Sequence, residues 1–239
     1  MKNIKIMHLF PKRMSLYGEY GNVSIVKKVL TDAGYSVTVE EYENGNLNLE
    51  GIDFVYIGSG TEDALMIANS ILTKSADAVK SSIGSGKVWL ATGNAPALFG
   101  GSINRNGKDT AAVGAFPYAC TIDDKGRFLG DVLTEDSNIF SASLIGFVNT
   151  SCTYEGMDKP LVSFKLNTNL GNDKKSPADG YISENFFAVE MIGPFLVKNP
   201  PALQELCRRI TGDKNFTLPE NSNAWKAYKS ALNELGTRL

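Results

Sequence analysis

Apolar positions along the first hundred residues switch repeatedly between the two-residue period of a strand and the 3.6-residue period of a helix. Ile4, Ile6, Leu9 and Phe10 predict a first strand over Ile4–Phe10, ended by Pro11. The glycine-containing loop MSLYGEYGN follows, with Asn22 placed to cap a helix. Val23, Val26, Val29 and Leu30 recur at helical spacing, and Gly34 is positioned to close that helix. Ser36–Tyr42 alternates as a second strand. Ile52–Ile57 is a short, mostly apolar run of the kind that a parallel sheet buries on both faces. It breaks into Gly58-Ser59-Gly60-Thr61 and then a helix from Glu62 to Leu72. A further helix is predicted over about Ala76–Ile83, before a buried strand at Val88–Ala91.

After Gly101 the pattern changes. Turns rich in Gly, Asn and Asp separate short alternating runs at Ala112–Ala119, Arg127–Leu133, Leu144–Phe147, Leu161–Leu166 and Phe186–Met191, which read as strands. Gly171–Asp179, GNDKKSPAD, reads as a solvated loop. Pro200-Pro201 opens a helix through Leu203, Leu206, Cys207 and Ile210, and a final amphipathic helix covers about Ala224–Leu235. Strands and helices alternate up to residue 101, so the expected class is a three-layer α/β fold with a mixed or antiparallel extension. The expectation is one domain over residues 1–239.

The chain is organised around VWLATGNAPALFGG, Val88–Gly101. A buried strand meets a tight turn (Thr92, Gly93, Asn94) and then a small-residue helix carrying Leu98 and Phe99. A strand that breaks sharply into a helix is how a nucleophile elbow is built, lifting one side chain above the carboxyl edge of a sheet beside unpaired N–H groups. The residue at the tip here is Gly93, so the reactive atom is missing.

Composition narrows the picture. The 239 residues are 43% hydrophobic, enough for a substantial core. Lys and Arg number 24 against 26 Asp and Glu, a net charge of -2, which points away from nucleic acid. No apolar run approaches the roughly 18 residues of a membrane span. The N-terminal stretch is too short and too alternating for a signal peptide. Cys120, Cys152 and Cys207 are far apart and odd in number, as expected of reduced thiols in a cytoplasmic protein. No cofactor is expected, and no metal site. His8 is the sole histidine and reads as a packed or edge residue of the first strand, which limits acid–base chemistry near neutral pH.

Several familiar motifs fail. Gly86-Lys87 precedes a strand instead of following one, so it is not a phosphate-binding loop. The residue two before Ser59 is Ile57, which breaks the hydrolase Gly-x-Ser-x-Gly pattern. HExxH, CxxC and GxGxxG are absent. The Gly58–Thr61 turn fits either an anion-binding turn or a tight strand–helix junction that needs glycine for its backbone alone. Arg127 reads as a surface arginine unless it faces the cleft.

LYGEYGN (Leu16–Asn22), YIGSGTED (Tyr56–Asp63), LFG (Leu98–Gly100), GRFLGDV (Gly126–Val132), LIGFVN (Leu144–Asn149) and GPFLVKNP (Gly193–Pro200) occur in an order and spacing that resemble class I glutamine amidotransferases of the cobyric-acid-synthase type. Within that group the chain is most similar to the small glutaminase subunit of lipid II isoglutaminyl synthase, over nearly its whole length. The resemblance implies the three-layer, flavodoxin-like fold of that family and a particular chemistry. An elbow cysteine attacks the glutamine side-chain amide and forms a glutamyl thioester. A histidine before the Gly-Pro motif moves the proton, and ammonia passes to a partner ligase.

The chain departs from that pattern at both chemical positions. Gly93 stands at the cysteine position and Ile192 at the histidine position, while Thr150 stands where the family often has another histidine. The oxyanion glycines match Gly58 and Gly60, and the arginine that holds the substrate carboxylate matches Arg127. Thr92, one residue before the tip, is the one rescue candidate, but strand alternation turns its side chain away from the tip. His8 is the sole imidazole that could approach the same sheet edge.

The expectation is therefore a non-catalytic amidotransferase-like subunit without glutaminase activity, partnered by a Mur-ligase-like ATP-dependent enzyme. It keeps a cleft for glutamine or a related small molecule, lined by Gly58, Gly60, Asn94 and Arg127. Two alternatives stand beside it. One is an active amidotransferase or hydrolase subunit using a non-standard nucleophile such as Thr92. The other is a free-standing metabolite-binding protein, with the glycine opening space at the elbow and Ile192 favouring a less polar ligand.

Overall fold

The computed structural model describes residues 2–137 and 139–239; Met1 and Asn138 lie outside the described residues. β1 (Asn3–Leu9), α1 (Tyr20–Asp32), β2 (Ser36–Tyr42), β3 (Phe54–Ile57), α2 (Glu62–Leu72), α3 (Ala76–Gly84) and β4 (Val88–Thr92) form the expected alternating opening. α1 begins earlier than its sequence signal. Glu19 is at its N-cap, and Asn22 lies buried inside the helix instead of capping it.

Parity along these strands explains the layers. On β1, Ile4 and Ile6 face one core while Met7 and Leu9 face the other; on β3, Phe54 and Tyr56 oppose Val55 and Ile57; on β4, Val88 and Leu90 oppose Trp89 and Ala91. Each strand is apolar on both faces because each face is covered. α1 packs with the Ile4 side, and α2 with the Met7 side.

The expected helix after the elbow is only a single tight turn, Ala95–Phe99, with Pro96 near its start. The extension then follows as β5 (Ser102–Arg105), β6 (Lys108–Ala111), β7 (Ala119–Ile122), β8 (Phe128–Thr134), β9 (Ile145–Thr150), β10 (Cys152–Glu155), β11 (Val162–Leu166), β12 (Ala178–Asp179), β13 (Tyr181–Ser183), β14 (Phe186–Val189) and β15 (Met191–Ile192). Ala112–Tyr118, expected as strand, is loop that doubles back on the elbow turn: Val113 N–H donates to the Leu98 carbonyl and Ala115 N–H to the Phe99 carbonyl. The chain ends in α4 (Phe195–Lys198), α5 (Pro200–Thr211) and α6 (Asn223–Gly236).

The main sheet has strand order β13-β14-β4-β3-β1-β2, parallel except for the β13–β14 pair. The order reverses at β1, with β2 on one side and β3 on the other, and crevices at the carboxyl edge near such reversals are where ligands of open α/β sheets bind. Two further sheets, β10-β7-β5-β6 and β12-β11-β8-β9-β15, form the extension. No helix among the described residues is long and apolar enough to cross a membrane.

The stretch Gly171–Asp179 is not a solvated loop. Asn172, Lys174 and Asp179 are buried, and Lys174 ion-pairs with the buried Glu190 at the end of β14. Burial, followed by the nearby Glu190 charge, pushes the Asp179 carboxyl up to about 8. Lys174 is tolerated inside because Glu190 pairs with it, while Asp173 and Lys175 of the same stretch stay exposed.

Candidate active site at the carboxyl edge of the sheet

The carboxyl ends of β3 and β4 carry the two glycine turns side by side, and the loop after β1 covers them. Gly93 follows β4 with φ +64°, a left-handed conformation that a side-chain-bearing residue adopts only with strain. The direction in which its side chain would project is filled. A Cβ built there lies 2.5 Å from Ser59 Oγ and 2.9 Å from Ile192 Cγ2, both well inside van der Waals contact. The expectation that the glycine opens room for a ligand is thus corrected: Ser59 from one side and Ile192 from the other occupy the space.

Asn94 clamps the neighbouring turn. Its Oδ1 accepts from Gly60 N–H at 3.1 Å and from Ser59 Oγ at 3.2 Å, and its Nδ2 donates to the Gly60 carbonyl at 2.8 Å. The Gly60 N–H that the resemblance assigns to an oxyanion is therefore already engaged within the protein. The loop 10–19 closes over the same turn, with Leu16 N–H donating to the Ser59 carbonyl. Cβ atoms at Gly58 and Gly60 would meet the Met14 carbonyl at 2.7 Å and Met14 Sδ at 2.5 Å respectively. Close approach of this loop alone accounts for glycine at both positions.

Thr92 faces the α1 side, as strand parity requires. Its hydroxyl donates to Glu19 Oε2 in a short contact and lies 2.9 Å from the Tyr56 hydroxyl. Glu19 was not singled out from sequence, yet it is the hub beneath the elbow. Tyr56 also donates to its Oε2 at 2.8 Å, Gly193 N–H donates to its Oε1 at 2.8 Å, and Asn22 Nδ2 donates to the Tyr56 hydroxyl at 2.7 Å. Asn22 Oδ1 in turn accepts from Leu196 N–H. Burial raises the Glu19 carboxyl above its usual range, against the hydrogen bonds from Thr92, Gly193 and Tyr56 that favour its charged form. The sequence signal was there: an acidic residue between two glycines at the start of an amphipathic helix, inside one of the six matching segments.

A threonine donating to a carboxylate could be read as a nucleophile and its base. Both groups are fully buried, so no substrate carbonyl reaches them. His8 does not complete such a pair. Its ring packs against Tyr56 with centroids 5.4 Å apart, and burial pulls its pKa down to about 4.

Arg127 lies on the surface just before β8. It donates to Glu62 Oε1 and to Asn149 Oδ1, both at 2.8 Å; Glu62 also accepts from Ser151. The structure brings Gly58, Gly60, Thr92, Gly93, Asn94 and Ile192 together, and Arg127 stands apart from them at a rim shared with Asn149 and Tyr17. Among the described residues no cluster of His, Cys, Asp and Glu is arranged to hold a metal ion.

Solved structures share this architecture. A glutamine amidotransferase from Thermotoga maritima superposes with a TM-score of 0.53 and 10% identity, covering 98% of this chain and 92% of its own. A second structure described as a glutamine amidotransferase superposes with a TM-score of 0.56 and 13% identity over 87% of this chain and 98% of its own. The fold is class I glutamine amidotransferase-like. Two curated proteins extend the likeness of this amidotransferase-like chain to sequence. The GatD subunit of lipid II isoglutaminyl synthase (glutamine-hydrolyzing) from Streptococcus pneumoniae is 25% identical over 200 residues, covering 82% of this chain and 76% of the relative. Its Staphylococcus aureus counterpart is 22% identical over 202 residues, 83% of this chain and 81% of the relative. No family model matches the chain.

Proposed function

We propose that this amidotransferase-like chain is a non-catalytic subunit without glutaminase activity, acting as one domain beside an ATP-dependent amidating ligase in the cytoplasm. The observation that carries the reading is the filled elbow: Ser59 and Ile192 occupy the space that a side chain at Gly93 would need. The engaged Gly60 N–H supports it further, because an oxyanion site requires a free, aimed donor.

Support for a partner comes from two directions. Both curated relatives are named as subunits. In addition, Leu16, Tyr17, Tyr20, Leu129 and Val197 are exposed large apolar side chains. They adjoin one another around the elbow. Tyr17 lies over Gly193 and accepts from Asn149, which pairs in register with Leu129, and Val197 lies against Gly21 beside Tyr20. Exposed apolar side chains grouped on one face are the kind of feature that marks interaction surfaces.

Purified protein incubated with glutamine is expected to release no ammonia above the uncatalysed rate. Titration with glutamine is expected to give no saturable heat that depends on Arg127. A tagged pull-down from native cells is expected to recover an ATP-dependent ligase at near-equal abundance. Sustained ammonia release abolished by Thr92→Ala would favour the non-standard nucleophile. A chain recovered without a stoichiometric partner would favour a free-standing protein.

A further inference from the structure

Glu190 is the single residue between β14 and β15. Val189 before it pairs with Thr92 at the end of β4, and Ile192 after it pairs with Phe147 on β9. The chain therefore crosses at Glu190 from the main sheet to the second sheet. The crossing lies two residues before the side chain that fills the space at Gly93.

This crossing is anchored twice. Glu190 N–H donates to Asp179 Oδ2 at 3.3 Å, and its carboxylate pairs with the Lys174 ammonium, which also donates to the Leu170 carbonyl. All three side chains are buried. Two carboxyls thus face one cation. Asp179 Oδ1 and Glu190 Oε1 have no hydrogen-bond partner among the described residues, and neither has the nearby Tyr154 hydroxyl. A neutral Asp179 suits this set. It leaves one negative charge against one positive, and it supplies a donor where acceptors are unpaired. Burial also raises Glu190, which Lys174 opposes. The other titratable neighbours stay neutral: burial raises the Tyr154 hydroxyl, and the Cys152 thiol together with burial raises the Cys120 thiol.

Ionising Asp179 upsets that balance. Two like charges then share Lys174 in a buried setting where charges are weakly screened. The repulsion falls on Glu190, the crossing itself. We propose that the proton on Asp179 is a latch, whose loss loosens Glu190–Gly193 and lets Ile192 move off the space beside Gly93. The latch does not depend on whether the chain lacks glutaminase activity or has a partner. Once open, Asp179 meets water and regains an ordinary carboxylate pKa. Above the closed-form value of about 8, each pH unit therefore favours opening about tenfold.

Amide hydrogen exchange and nuclear magnetic resonance of the full chain from about pH 6 to 9 test this. Exchange is expressed as protection relative to an unstructured chain, which removes its intrinsic dependence on hydroxide. Protection of the Glu190–Gly193 amides is expected to fall at least about tenfold over that range, with the Val55–Ile57 amides of β3 unchanged within about twofold. The Ile192 methyl resonance is expected to shift with the same midpoint as the Asp179 carboxyl carbon. Asp179→Asn, which cannot ionise, is expected to abolish both responses. Glu19, whose Oε1 accepts from Gly193 N–H, still titrates in that variant, so the two carboxyls are told apart. The proposal is overturned if Ile192 of the wild type does not respond, if β3 loses protection equally, or if folded Asp179→Asn responds as wild type does. Should Asp179→Asn not fold, the wild-type titration decides, and an Ile192 midpoint that departs from that of Asp179 overturns the latch.

Discussion

Ser59 occupies the space that a side chain on Gly93 would need. The two residues sit on neighbouring glycine turns at the ends of β3 and β4, and Asn94 holds the turns in register by bonding to Gly60 and Ser59. The turn at Gly93 is thus closed by its own neighbours.

Placing a cysteine at Gly93 is expected to destabilise the protein without producing glutaminase activity. Gly93→Cys places a side chain at φ +64° and against Ser59 and Ile192, so a loss of about 2–4 kcal/mol is expected from strain and overpacking together. Urea unfolding measures the loss. Gly93→Cys with Ile192→His is expected to release no ammonia from glutamine; measurable turnover by that double variant would show that the site opens after all.

Asn94→Ala removes the clamp on the Gly58–Gly60 turn. The Gly60 N–H and carbonyl lose their buried partner, and about 2–4 kcal/mol of stability is expected to go with them. A change within about 0.5 kcal/mol in the same unfolding experiment would mean that the loop rearranges to satisfy these groups.

His8 is the sole histidine, so its imidazole proton resonances can be followed without overlap. Burial holds its pKa at about 4, below the unfolded value of 6.5. The folded protein therefore resists protonation there. The associated stability is complete above about pH 6.5 and is lost as pH falls toward 4, by up to about 1.4 kcal/mol per unit. The His8 shift is expected to stay flat from pH 8 down to about 5.5; a midpoint near 6.5 would place the ring in solvent.

Asp179 gives the opposite sign. Its folded pKa of about 8 lies above the unfolded value of 3.8, so the folded state binds the proton more tightly. That contribution is complete at low pH and is lost as pH rises through about 8. Asp179→Asn, which cannot ionise, is expected to gain stability relative to wild type as pH climbs from about 5 to 8. Parallel unfolding curves for the two proteins across that range would show that Asp179 is ionised throughout.

The parallel half of the fold was legible because its strands obey simple periodicity. Phe54–Ile57 and Val88–Ala91 are apolar at every position, and Glu62–Leu72 repeats at helical spacing behind a threonine cap. The extension was harder to read. Ser102–Arg105 and Lys108–Ala111 form a hairpin whose residues are mostly polar, and Lys174 and Asp179 carry charges that in sequence signal solvent. Only pairing across distant segments, such as Lys174 with Glu190, turns those charges inward. The site divided in the same way. Gly93, Asn94 and Ile192 were identified by position along the chain. Glu19 and Tyr56 gain meaning only when the start of α1 and the end of β3 meet beneath Thr92.

The crowding at Gly93 also limits which changes this position can accept. Two of the four glycine codons become a cysteine codon by one base change, so on sequence alone a nucleophile at this position looks close at hand. With Ser59 and Ile192 in the space that a side chain would need, that step lands on a strained, overfilled turn. Selection would have to shrink a neighbour first, with nothing gained until the cysteine and its proton acceptor are both in place. The turn acts as a one-sided barrier: glycine fits it as it stands, and entry of any side chain is opposed by neighbours that are themselves unreactive.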